Sequence, residues 1–112
     1  MRPKNTATGL NKELEVKRWL RRHGWEVPPH GTVGAEDIIA KDGSKIWYIQ
    51  VKYTRKYSAT VDSVLSAYSS EFRRLKAKAT KHNAVPVYAV VIQDYVWFVS
   101  IKSFKHLAKG PL

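Results

Sequence analysis

Apolar positions along this chain switch between helical and strand spacing, and each switch marks an element. Leu10, Leu14, Val16, Trp19 and Leu20 recur at helical spacing with Lys12, Lys17, Arg18, Arg21 and Arg22 between them, which predicts an amphipathic helix over 10–23. Gly24 suits its C-terminal cap, and the cations of its last turn suit the negative end of the helix dipole. Trp25-Glu26-Val27 then predicts the first strand, and Pro28, Pro29, Gly31 and Gly34 punctuate a loop. Extended spacing resumes over 37–40 and 45–55, the latter predicted as the centre of the sheet. Val64, Leu65, Tyr68, Phe72, Leu75 and Ala79 form the stripe of a second helix over 64–82, with Asp62 or Ser63 as its cap. The apolar run 85–92, a Gln93-Asp94 turn and 95–101 predict another hairpin, and 102–109 a short terminal helix. Helix, three strands, helix and two strands make an α/β sandwich on a mixed five-stranded sheet flanked by helices. Both strands of the last hairpin are apolar on both faces, which calls for helices on each side or a subunit contact.

At 112 residues the chain is long enough for a single core. Residues 1–9 carry Arg2, Lys4 and small polar residues with little to bury, so they are expected as a flexible basic arm before one domain over 10–112. The charge balance sharpens the picture: 20 Lys and Arg against 9 Asp and Glu give +11 in a chain that is 44% hydrophobic. A small basic globule of this kind gains affinity for nucleic acid by releasing counterions from phosphates. No stretch is long enough to span a bilayer, and the basic helices carry core-type stripes rather than the broad apolar face of a membrane-surface helix. With no cysteine there is no disulfide or thiolate site, and the four histidines stand at no metal-ligand spacing. A cytoplasmic protein that works on nucleic acid is expected.

Candidate chemistry concentrates between Ala35 and Arg55. An Asp42-Gly43 pair at the centre of a two-residue turn sets Lys41 opposite Ser44 and Asp37 opposite Tyr48. Side chains alternate along a strand, so Asp37 shares a face with Tyr48, Gln50 and Lys52 while Ile38, Ala40, Trp47, Ile49 and Val51 point away. A one-residue slip would reverse these faces. A carboxylate, an amide oxygen, the Val51 carbonyl and an ammonium at one end of a hairpin are the inventory for Mg²⁺ beside a phosphate, because Mg²⁺ takes oxygen ligands and retains several waters. Lys52 can orient water, hold phosphate charge or act as a base. Glu13 and Glu15 on the first helix are the candidates for a further carboxylate. They point about 200° apart, so only one faces the site.

These residues resemble the PD-(D/E)xK nuclease superfamily, and within it the archaeal Holliday-junction resolvases. The likeness runs through Gly9 and Glu13, His23-Gly24-Trp25, Asp37-Ile38-Ile39-Ala40, the Asp42-Gly43 turn, Ile49-Gln50-Val51-Lys52, Phe72-Arg73-Arg74, Val85-Pro86-Val87-Tyr88-Ala89-Val90 and Trp97-Phe98. It implies a restriction-endonuclease-like αβββαββ fold. It also implies catalytic positions at Glu13, Asp37, Gln50 and Lys52, with Glu13 chosen over Glu15, and metal ligation by Glu13, Asp37, Gln50 and the Val51 carbonyl. Three positions depart from the pattern: Gln50 stands for a glutamate, Leu14 for an arginine, and Pro28-Pro29-His30 where a further basic residue is usual. The glutamine triplet is similar to that of Mrr-type restriction nucleases. The expected function is a Mg²⁺-dependent endonuclease, with Mn²⁺ as a substitute ion, that cuts four-way DNA junctions as a homodimer. Arg2, Lys4, Lys12, Arg55 and Lys56 are its expected DNA contacts. Restriction or repair cleavage of duplex DNA, and a non-catalytic nucleic-acid-binding module, are the alternatives.

Overall fold

The computed structural model describes residues 4–29 and 36–112, with the side chains of α1 described from Asn11 onward. Nine elements follow in order: α1 (Lys4–Arg22), β1 (Ile38–Asp42), β2 (Lys45–Thr54), α2 (Val61–Ala67), a 3₁₀ turn (Ser69–Glu71), α3 (Phe72–Lys81), β3 (Val85–Ile92), β4 (Tyr95–Ser100) and β5 (His106–Pro111). The strands form one sheet in the order β1-β2-β3-β4-β5, with β2 and β3 parallel and every other neighbouring pair antiparallel. This is an α/β fold on a mixed five-stranded sheet. The parallel pair requires a crossover, which α2 and α3 supply.

Helices cover both faces. Val16, Trp19 and Leu20 of α1 pack on Ile38, Ala40, Trp47, Ile49, Val87, Ala89 and Phe98. Val64 and Leu65 of α2 and Leu75 and Ala79 of α3 pack on Tyr48, Tyr88, Val90 and Val99 from the other side. The strand alternation predicted for the first hairpin holds across both clusters.

Several expectations change. The helix begins at Lys4, so residues 4–9 extend α1 where an arm was expected, and residues 1–3 lie outside the described part. Trp25-Glu26-Val27 is no full strand: Glu26 makes a single bridge to Lys41, and Trp25 instead packs its ring 4.1 Å from Trp47. The central strand is β3, with β2 next to it. The first turn centres on Gly43 and Ser44, since Asp42 pairs with Lys45. Positive φ at Gly43 and not at Ser44 is the signature of a type II′ rather than a type I′ hairpin. Moving the turn by one residue shifts the pairing by two, so every side chain stays on its expected face.

The second helix is broken. It begins at Val61 behind Thr60, which forms a capping box with Ser63, so neither Asp62 nor Ser63 is the cap. At Tyr68 the bonding tightens to 3₁₀ across Ser69 and Ser70, residues whose hydroxyls compete for backbone partners. The segment 102–109 holds no helix. From His106 the chain instead runs as β5 to Pro111 and pairs with β4, and Gly110 and Pro111 just beyond the expected helix oppose helical continuation. A Cβ on Gly110 would lie 2.9 Å from the indole nitrogen of Trp19, so only glycine lets β5 approach α1 there. With β5 in place and helices on both faces, β3 is buried from Pro86 to Val91 within one chain, so the hairpin's apolar character needs no subunit contact.

Candidate active site

Asp37 stands at the bend that leads into β1, where its N–H donates to the Ile49 carbonyl at 2.7 Å. Its Oδ2 accepts from the backbone N–H of Val51 at 2.8 Å and from Nε2 of Gln50 at 3.2 Å. The carboxylate is thereby fixed over the Gln50-Val51 peptide, and Gln50 keeps its amide oxygen as an acceptor. Just before it, the buried Glu36 takes a 2.9 Å ion pair from Lys78 of α3, which ties that helix to the start of β1.

The two glutamates of α1 separate cleanly. Burial first, and then the charge of Asp37, push the Glu13 carboxyl above its usual range, with Lys17 opposing. Glu15 instead bonds Lys12 at 3.2 Å. Glu13 is therefore the one that shares its electrostatic environment with Asp37. Two carboxylates, one of which raises the other's proton affinity, beside an amide oxygen, form an all-oxygen donor set that suits a hard divalent cation. Among the described residues no three Asp, Glu or His side chains gather for a metal, so Gln50 and the peptide carbonyls would have to complete the set.

Lys52 points to the same face, two residues beyond Gln50. Its ammonium donates to Glu71 at 2.9 Å and lies 4.0 Å from the centre of the Tyr68 ring. The side chain is only 16% exposed, so these two partners define where the charge rests. Tyr88 pairs with Gln50 across β2 and β3, and its hydroxyl is buried with no hydrogen-bond partner. Burial, then the neighbouring Glu71 and Asp37 carboxylates and Tyr68, hold that phenol well above its ordinary range. The hydroxyl thus answers electrostatically both to Asp37 and to Glu71, the partner of Lys52.

Glu71, Tyr68 and Tyr88 are not among the site residues expected from the sequence. Glu71 lies on the 3₁₀ step, and a continuous helix through Ser69-Ser70 would turn it elsewhere. The serine pair was the available signal. Tyr88 sat within an apolar run, although its register with Gln50 follows once β2 and β3 are known to be parallel neighbours.

The expected DNA contacts divide. Arg55 and Lys56 are exposed immediately after β2. Lys12 is held inward: it is 12% exposed, pairs with Glu15 at 3.2 Å and Asp94 at 3.5 Å, and lies 4.9 Å from the Tyr53 ring. Burial lowers its proton affinity, but the Glu15 hydrogen bond and the surrounding negative groups outweigh this and raise it. In this structure its ammonium is engaged by Glu15 and Asp94. Arg2 lies outside the described residues, and Lys4 opens α1 with its side chain likewise outside them.

Among solved structures, a Holliday junction resolvase of the archaeal hyperthermophile Archaeoglobus fulgidus matches with a TM-score of 0.59, covering 87% of this chain and 85% of the other. The likeness establishes the fold. At 16% identity it carries no residue roles across. No family profile and no curated protein sequence matches the chain.

Proposed function

We propose that this protein is a divalent-metal-dependent DNA endonuclease that cuts four-way junctions. The observation that carries the reading is the convergence of Asp37, Gln50 and Val51, with Lys52 held on the same face and Glu13 in the same electrostatic environment. The resolvase fold and the net charge of +11 support it.

In this reading Asp37, Glu13, the Gln50 amide oxygen and the Val51 carbonyl hold Mg²⁺, for which Mn²⁺ substitutes. When bound, the ion supplies an acidified water and counter-charge for the leaving alkoxide. The chain's own residues do the rest. Glu71 and the Tyr68 ring keep the Lys52 ammonium in place, and its remaining N–H donors meet a phosphate oxygen and offset the charge that builds as the phosphorus is attacked. The Val51 N–H and Gln50 fix the orientation of Asp37, so little rearrangement is needed on binding. Arg55 and Lys56 meet flanking phosphates without reading sequence. Two symmetric cuts require two centres at fixed separation, which a homodimer provides.

The test compares a four-way junction with its component duplexes in Mg²⁺. Wild type is expected to nick the junction in preference, and Asp37→Ala to bind it with similar affinity while cutting at least a hundredfold more slowly, the low end of what one reacting group contributes. Equal cutting of linear duplex would move the reading to a restriction or repair nuclease. Undiminished cleavage by Asp37→Ala would falsify the centre itself.

A further inference from the structure

Phe104 is a large apolar side chain that packing leaves more than half uncovered. Its ring is 56% exposed, and its backbone φ is +59°, in the left-handed region that non-glycine residues seldom occupy. The turn is nonetheless firmly wired. The Phe104 N–H donates to the Ser100 carbonyl at 2.7 Å, and the Ser100 N–H to the Lys105 carbonyl at 3.0 Å. The hydroxyl of Ser100, a residue only 3% exposed, accepts from the N–H groups of Lys102 at 3.2 Å and Ser103 at 3.3 Å. A strained, tightly bonded turn thus holds an apolar ring in solvent. Strain maintained by the surrounding structure is a pointer to use.

Its surroundings say what kind of use. The Phe104 ring lies 6.1 Å from that of Phe72, Phe72 meets Tyr88 edge-on at 5.0 Å, and Tyr88 pairs with Gln50. A line of rings therefore leads from the nuclease centre out to Phe104. One surface groove runs between Phe72 and Phe104 past Leu65 and Ser69, and a second continues from Phe72 along Arg73, Lys76 and Thr80. Arg73, Lys76, Lys102 and Lys105 are all exposed, so cations lie on both sides of the aromatic pair.

We propose that Phe104, backed by Phe72, is a stacking platform for an unstacked base of DNA beside the cleavage centre, with Arg73, Lys76, Lys102 and Lys105 meeting the phosphates around it. The proposal rests on the nuclease reading for the position of the scissile phosphate, and deepens it by assigning where a branch point is recognised. Every base has a π face to offer an aromatic ring, but in a continuous duplex those faces are taken by neighbouring bases. A platform of this kind favours branched or distorted DNA over linear duplex with no need for base-edge hydrogen bonds.

The experiment uses a synthetic four-way junction with 2-aminopurine at the branch point, titrated in EDTA so that no strand is cut. Wild type is expected to change the probe's emission. Phe104→Ala should abolish that change and weaken junction binding about tenfold, within the range for losing one base-stacking ring, while linear-duplex affinity stays the same. Phe104→Trp should restore both. The same emission change with Phe104→Ala overturns the proposal, and so does a lower sedimenting mass for that variant, because the ring would then be covering a second copy. A wild type that cuts nothing in Mg²⁺ but shows the Phe104-dependent signal would sink the nuclease reading and leave the platform standing. Intact cutting with no such signal would do the reverse.

Discussion

The two faces of the sheet are built from the same strands and do opposite work. Against α1 lies an aromatic cluster, with Phe98 5.0 Å from Trp19 and 5.7 Å from Trp47, and Trp25 against Trp47. The other face is apolar under α2 and α3 but carries Asp37, Gln50, Lys52, Glu71 and the Tyr88 hydroxyl where those helices break. The cover differs correspondingly. α1 is one helix of 19 residues, whereas α2 and α3 have 7 and 10 with a 3₁₀ step between them. An unbroken helix seals its face. The step opens the opposite one and brings Glu71 to Lys52. Both faces carry a buried core, but only the second also carries the candidate site, and alternation along β2 couples them, since Ile49 and Val51 pack toward α1 while Gln50 and Lys52 turn away.

The hardest way to strain that division is to empty the sealed face. Phe98 is fully buried and meets the rings of Trp19 and Trp47 on α1's side. Phe98→Ala is expected to destabilise the fold by about 3–5 kcal/mol. Denaturant titration measures the loss, and cleavage per folded molecule should remain close to wild type. If cleavage collapsed while most molecules stayed folded, the faces would be mechanically inseparable.

The opposite probe leaves packing alone and changes one charge. Glu71→Gln keeps the side chain's shape but removes the anion facing Lys52. A pair whose acid is half-exposed to solvent contributes about 1 kcal/mol or less to stability, so the unfolding midpoint should barely move. Turnover on a four-way junction is expected to fall about tenfold with little change in KM, as a loosened Lys52 loses transition-state contact more than ground-state binding. A change confined to KM would make Glu71 a substrate contact rather than a holder of Lys52.

What the sequence could reveal follows the same division. Short-range periodicity placed the first hairpin's faces, the apolar stripe of α1 and both strands of the later hairpin. The turn was misplaced by one residue, yet no face changed, because a turn shift of one moves the register by two. The helix break was hidden because Val64, Leu65, Tyr68, Phe72, Leu75 and Ala79 keep helical spacing straight across Ser69-Ser70. β5 was hidden because His106 to Pro111 has no strand alternation of its own and is recruited by the open edge of β4. The parts of the candidate site that lie on one hairpin were therefore legible. Glu71, Tyr68 and Tyr88 depend on a helix distortion and a crossover, both set by tertiary packing.

The gentlest probe concerns Glu13, which lies on the helix of the sealed face yet answers electrostatically to the other. Burial and the Asp37 charge raise its carboxyl above the usual 4.5. A raised folded-state value means that the folded chain retains a proton the unfolded chain has released. The protein without divalent ion should therefore lose stability as pH climbs from 4.5 through the raised value, with the penalty complete above it. Glu13→Gln removes the titrating group, so thermal melts should show a higher midpoint for the variant near neutral pH and no difference below pH 4.5. Adding Mg²⁺ should shrink the gain, because a cation shared with Asp37 relieves the same repulsion in wild type. A midpoint difference that stayed constant across pH would place Glu13 outside the influence of Asp37 and leave the open face to supply its acids without help from α1.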